Sequence, residues 1–197
     1  MHILLYMNSR KDVLLLFPGR RVFHPLTLSP SRATFLAMEY CYQIYETDIG
    51  MLTLVSNGES IVTVHFGEGH LQGCRYEEDP LLMEAIFEIN QYLFGQRKTF
   101  DFPIDPMGNE QEVKLYQYIK QTVPYGKLTN YEKLSEELGI PVDDIVEMLE
   151  TNSCPIVVPC HRVIRASRRL GPYVTDPEIK NRLIHLEHDH LHDPSLR

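Results

Sequence analysis

The chain has 197 residues, 43% of them hydrophobic, and a formal charge of −8. That length allows one ordinary domain or two small ones, and no run approaches the ~20 continuous apolar residues of a membrane helix. Cys41, Cys74, Cys154 and Cys160 have neither C-x-x-C nor zinc-type spacing; they read as free thiols of a reducing compartment, with no metal site and no disulfide framework.

The acidic balance runs against nucleic-acid binding, in which lysines and arginines displace phosphate counterions. It is unevenly placed. Residues 38–108 carry three basic and twelve acidic side chains, whereas residues 109–187 carry ten and twelve. Residues 1–37 hold Arg10, Lys11, Arg20, Arg21 and Arg32 against the single acid Asp12, with short, interrupted apolar pieces. Arg10 and Lys11 fall between two such pieces rather than ahead of one, which does not fit a signal peptide. This segment is read as a non-native or disordered leader, with Met38 the natural start.

After Met38 the pattern becomes regular. Glu39 to Glu46 reads as a strand, 47–50 as a turn, and Met51 to Val55 as a second strand. Asn57-Gly58 predicts a hairpin turn because both residues tolerate positive φ, and Ser60 to Phe66, rich in β-branched residues, a third strand. Gly67 to Glu78 is a loop. Asp79 to Phe94 predicts a helix capped by Asp79 and ended by Gly95, its apolar stripe running Leu81, Leu82, Ala85, Ile86, Ile89, Leu93 and Phe94. Phe100 to Asp105 is an extended linker. The first domain is then residues 38–107.

The second domain, 108–188, is mainly helical. Helices are expected over Asn109–Val123, Thr129–Leu138 (a Thr129/Glu132 capping box, ended by Gly139) and Val142–Glu150. The last two resemble a helix-turn-helix. Ser153 to Val158 is apolar and extended, Arg165 to Tyr173 a basic loop, and Pro177 to His188 the final helix. Residues 189–197 form a polar tail.

Chemistry concentrates at Pro159-Cys160-His161-Arg162. A thiol becomes a strong nucleophile when it ionises, and a neighbouring histidine favours that. Adjacent side chains need not face each other, so His161 would act through a bridging water and a carboxylate from elsewhere would orient it. By itself the dipeptide favours the reading of Cys160 as a small core residue.

The run Asn152-Ser153-Cys154-Pro155-Ile156-Val157-Val158-Pro159-Cys160-His161-Arg162-Val163, with Val123-Pro124-Tyr125-Gly126-Lys127 and Tyr131 upstream and Leu170-Gly171-Pro172-Tyr173, Lys180 and Glu187 downstream, resembles the O6-alkylguanine-DNA alkyltransferases. The resemblance covers about Glu39 to His188. It implies an α+β protein, a small RNase H-like N-terminal domain followed by a winged helix-turn-helix domain. It also implies irreversible transfer of an alkyl group from O6-alkylguanine in DNA to Cys160. In that scheme His161 takes the thiol proton, Glu187 orients His161, Tyr131 assists the departing guanine and Lys180 adds charge. Asn152 holds the cysteine turn, with Tyr173 and Arg162 at the substrate or in a structural role. No cofactor is implied. The partner is double-stranded DNA, held weakly by a cytoplasmic or nucleoid-associated monomer with no membrane contact.

The sequence departs from the family in two places. Val142–Glu150 offers Asp143, Asp144, Glu147 and Glu150 outward, and no arginine lies between Arg97 and Arg162 to intercalate. Tyr173 is followed by Val174-Thr175-Asp176 instead of Ser-Gly-Gly. Arg165, Arg168 and Arg169 place compensating charge on the basic loop, either as DNA contacts or as a solvated surface. The competing reading is a degenerate member serving as an interaction or regulatory module.

Overall fold

The computed structural model describes residues 4–7, 13–17, 20–24, 40–69, 71 and 74–192. The chain divides into two compact units: Met1–Ile86 with Phe102–Asp105, and Phe87–Asp101 with Pro106–Arg197. The sequence places one boundary near residue 107. The chain passes into the second unit for good at Pro106, but the second half of the first long helix already belongs there. The reason is a side chain: Tyr92, on that half, is hydrogen-bonded to Glu187.

In the first unit, β1 (Leu4–Met7), β2 (Val13–Phe17) and β3 (Arg20–His24) form an antiparallel meander, Leu4 opposite Leu16 and Val13 opposite His24. Strands of four and five residues are too short for periodicity to announce. The larger sheet comprises β4 (Cys41–Thr47), β5 (Gly50–Ser56), β6 (Ile61–Phe66) and β7 (Arg75–Tyr76), in the order β6-β5-β4-β7. β7 lies inside the expected loop and runs parallel to β4. Central β5 buries five consecutive residues, Leu52 to Ser56, so alternation is lost there.

The turn at Asn57 differs from a two-residue hairpin. Only Gly58 takes a positive φ, of 88°. Asn57 instead accepts hydrogen bonds at Oδ1 from the amides of Glu59 and Ser60, a side-chain-braced turn that delays β6 to Ile61.

Helix α1 (Pro80–Leu93) begins where Asp79 Oδ1 accepts from the Leu81 amide. Its buried face is Leu82, Ala85, Ile86, Glu88, Ile89, Tyr92 and Leu93. Phe94, expected in the stripe, is 54% exposed, and Tyr92 takes the inner position.

The second unit continues with α2 (Glu110–Thr122), α3 (Tyr131–Leu138), α4 (Val142–Glu150) and α5 (Pro177–His192). The capping box is at α2: Asn109 accepts from Gln111 and Glu112, and Glu112 accepts from the Asn109 amide. α3 is capped by Asn130, one residue later than expected, because Thr129 and Asn130 (β8) pair in parallel with Val163 and Ile164 (β9). Glu132 is thereby released, and accepts from the Ala166 amide. Gly139, at φ 67°, turns α3 into α4. Tyr116 on α2 donates to the Met148 carbonyl of α4. α5 runs to His192 because Asp189–His192 contains no helix breaker.

Candidate active site

The segment from Asn152 to Cys160 is a tight buried turn, not an extended strand. Pro155 bridges to Val158, and Ile156 sits at φ 75°. A β-branched residue in that region is strained, so its surroundings must hold it. Asn152 does: its Oδ1 accepts from the Cys154 amide at 3.0 Å, and its Nδ2 donates to the Val158 carbonyl at 3.2 Å and to Cys160 Sγ at 3.1 Å. Asn152 thus hydrogen-bonds to the start of the turn, to its end and to the sulfur. The chain then makes a single 3-10 turn, Cys160–Arg162.

Cys160 is 2% exposed. Burial pushes its thiol up to about 11, against the hydrogen bond from Asn152 and the charge of Lys180. At neutral pH the resting sulfur is therefore a thiol. Burial outweighs the hydrogen bond and the charge that favour the ionised form.

His161 is fully buried, with Nε2 2.8 Å from Glu187 Oε1 and 3.3 Å from the Tyr92 hydroxyl. Tyr92 donates to Glu187 Oε1 at 2.6 Å, so the carboxylate accepts from both groups. The proton of neutral His161 then lies on Nε2, and Nδ1 carries the lone pair. Nδ1 is buried and has no hydrogen-bond partner among the described residues. Burial foremost lowers the His161 pKa, opposed by Glu187.

Glu187 is the hub. Arg162 donates to both of its oxygens, Nη2 to Oε1 at 2.8 Å and Nε to Oε2 at 3.1 Å, and the Gly126 amide donates to Oε2 at 2.8 Å. Burial alone would raise the carboxyl; hydrogen bonds and charge from His161 and Arg162 outweigh it and bring it down to about 2. Arg162 is further anchored on the Val123 carbonyl at 2.8 Å, its guanidinium 5.7 Å from the Tyr125 ring centre.

Lys180 is 1% exposed and Tyr131 2%. Lys180 Nζ donates to the Tyr131 hydroxyl at 3.2 Å and to the Pro172 carbonyl at 3.0 Å. Burial lowers the lysine to about 8, the sulfur opposing. Burial raises Tyr131, as does the nearby sulfur. The Tyr173 hydroxyl is raised chiefly by burial and then by Cys160. Gly171, at φ 73°, lets the loop close on Tyr131: a Cβ there would lie 2.9 Å from its hydroxyl.

Lys180, Leu183 and Glu187 form the buried face of α5, so two charged side chains occupy positions where a helix ordinarily places hydrocarbon. That is the signal sequence can read. Tyr92 and the Gly126 amide were missed: an aromatic on an apolar stripe looks like packing, and a backbone donor leaves no trace in residue type.

Arg165, Arg168 and Arg169 are apart from this buried set. All three are exposed on one tight turn, in which the Arg165 amide donates to the Arg169 carbonyl and Arg168 adopts φ 62°. Arg165 is near enough to act electrostatically on Tyr131 and Lys180. Among the described residues no group of three or more His, Cys, Asp or Glu could hold a metal ion.

Comparison with known proteins matches residues 40–106 to the 6-O-methylguanine DNA methyltransferase ribonuclease-like domain, and residues 110–189 to the DNA binding domain of the same family. The methylated-DNA–protein-cysteine methyltransferase of Methanosarcina acetivorans is 31% identical over 152 residues, covering 74% of this chain and 97% of the relative. The chain belongs to the methylated-DNA–protein-cysteine methyltransferase family. A constitutive methyltransferase of Bacillus subtilis is 30% identical over 74% of this chain and 94% of its own. The Mycobacterium tuberculosis O6-methylguanine methyltransferase superposes with a TM-score of 0.66 at 27% identity, covering 77% of this chain and 94% of that one. The same organism's OGT in complex with DNA gives 0.68 at 25%, covering 76% and 94%. This methyltransferase thus has the expected α+β architecture, ribonuclease-like domain first and helical DNA-binding domain second.

Proposed function

We propose that the protein repairs DNA by moving an alkyl group from guanine O6 onto its own Cys160. The observation that carries this is the buried thiol that accepts a hydrogen bond from Asn152 and feels the charge of Lys180, itself hydrogen-bonded to Tyr131. A sulfur lone pair attacks the alkyl carbon, the carbon–O6 bond breaks, and its electron pair leaves with the guanine. The thiol proton goes to His161 Nδ1 through a bridging water, and the Glu187 carboxylate stabilises the imidazolium that forms. Lys180 occupies the Tyr131 oxygen as donor, so the Tyr131 proton is free to point at the base and neutralise the departing guanine. The balance closes without a cofactor: one thiol and one alkylated guanine become one thioether and one guanine. The thioether has no leaving group comparable to guanine, so each molecule acts once.

Mass spectrometry after incubation with O6-methylguanine DNA tests this. One methyl group is expected on Cys160, and Cys160→Ala abolishes it; an unmodified Cys160 after long incubation overturns the reading. The protein works as a monomer in the cytoplasm or nucleoid and holds duplex DNA weakly. The acidic exposed side of α4 also supports a second reading, an interaction module that has left repair. That reading requires no transfer to Cys160, even from free O6-benzylguanine.

A further inference from the structure

We infer that the preferred substrate is O6-alkylguanine in an unpaired or single-stranded stretch of DNA, not in an intact duplex. This rests on the alkyl-transfer reading above and concerns where the target base is found. α4 is the second helix of the helix-turn-helix, the element whose position brings it to duplex DNA. Ile145 and Leu149 are buried, which leaves Asp143, Asp144 and Glu147 exposed and Glu150 half-buried. No lysine or arginine occurs between Lys133 and Arg162 to offset them. Glu150, at the end of α4, also acts electrostatically on Tyr131 and Lys180.

The positive charge is on a different element. Arg165 and Arg168 line a cleft of about 570 Å³ with Thr129, Asn130 and Leu170, and Arg165 acts on the same Tyr131 and Lys180. Tyr131 and Lys180 thus feel charge of both signs, from the cationic loop and from the end of the anionic helix. A duplex brings two phosphate backbones, and seating it through α4 sets one of them against carboxylates. It also requires the target base to be unstacked and unpaired, a cost borne by the enzyme's remaining contacts and smallest for a base already free. A single strand brings one backbone, which the arginine loop can track, and its base enters without unpairing.

The experiment is single-turnover methyl transfer to Cys160, read by mass spectrometry at low salt. Its substrates are one oligonucleotide containing O6-methylguanine as a single strand, as a fully paired duplex, and as a duplex with the base in a bulge. Free O6-benzylguanine is run in parallel. Rates at least tenfold higher for the single strand and the bulge than for the paired duplex are expected. Asp144→Asn with Glu147→Gln should raise the duplex rate severalfold and leave the single-strand rate unchanged. A duplex rate equal to or above the single-strand rate overturns the inference. So does reaction with O6-benzylguanine but with no oligonucleotide, which leaves the transfer chemistry standing. Failure of all four substrates overturns the transfer reading itself and this inference with it.

Discussion

Glu187 gathers donors from Tyr92, His161, Arg162 and Gly126, and its carboxyl sits near 2 where an ordinary glutamate sits near 4.5. A group with a depressed folded pKa stabilises the fold fully above its unfolded value. That stabilisation is lost as pH falls from about 4.5 through about 2, and amounts to roughly 3 kcal/mol. Urea unfolding across that range should show it, and Glu187→Gln should flatten the dependence. The substitution should also cost about 3–5 kcal/mol at neutral pH, because it strands the buried Arg162 charge. Lys180 gives a kinetic counterpart. Because the thiol proton passes to His161 within the protein, the transfer rate should be flat with pH once the lowered His161 is neutral. It should then fall as pH rises through about 8 and Lys180 loses its charge. Lys180→Met should react more slowly throughout and show no break; an unaltered profile would remove Lys180 from the mechanism.

Among the elements, α3 separates what residue type reveals from what pairing decides. Thr129 and Glu132 have the spacing of a capping box, yet Thr129 is taken into the β8–β9 ladder and Asn130 caps the helix. Asn130→Ala should cost about 1 kcal/mol in chemical denaturation and Thr129→Ala only a few tenths; the reverse order would restore the capping box. The helices were legible because each carries a stripe and a stop, such as Gly139 after α3. The short pieces were not. β7 and β8 have two residues each, and a two-residue strand is defined by its partner. Ile156 in the left-handed region could not be read either, since nothing about an isoleucine announces it. Only the Asn152 network makes it tolerable.

At the scale of the whole molecule, the residues that do chemistry were readable because they share one ordered motif, whereas the groups that set their protonation were not. Cys160 reads as a nucleophile in sequence; its burial, and hence its neutral resting state, is a property of packing. Charge distribution was legible, and it fixes how DNA binding must respond to salt. Arg165, Arg168 and Arg169 are exposed together on one turn, and Arg165 and Arg168 line the cleft beside it. If these three supply the phosphate contacts, single-strand affinity should fall with a log–log salt slope of about −2, from roughly 0.7 ion released per contact. Replacing all three by alanine should bring the slope close to zero, because no phosphate contact of the loop then remains to release counterions from the DNA. Fluorescence anisotropy with a labelled single strand from low to moderate salt measures both slopes. A slope of −5 or steeper, or one unchanged in the triple variant, would place the DNA on a different surface from the arginine loop.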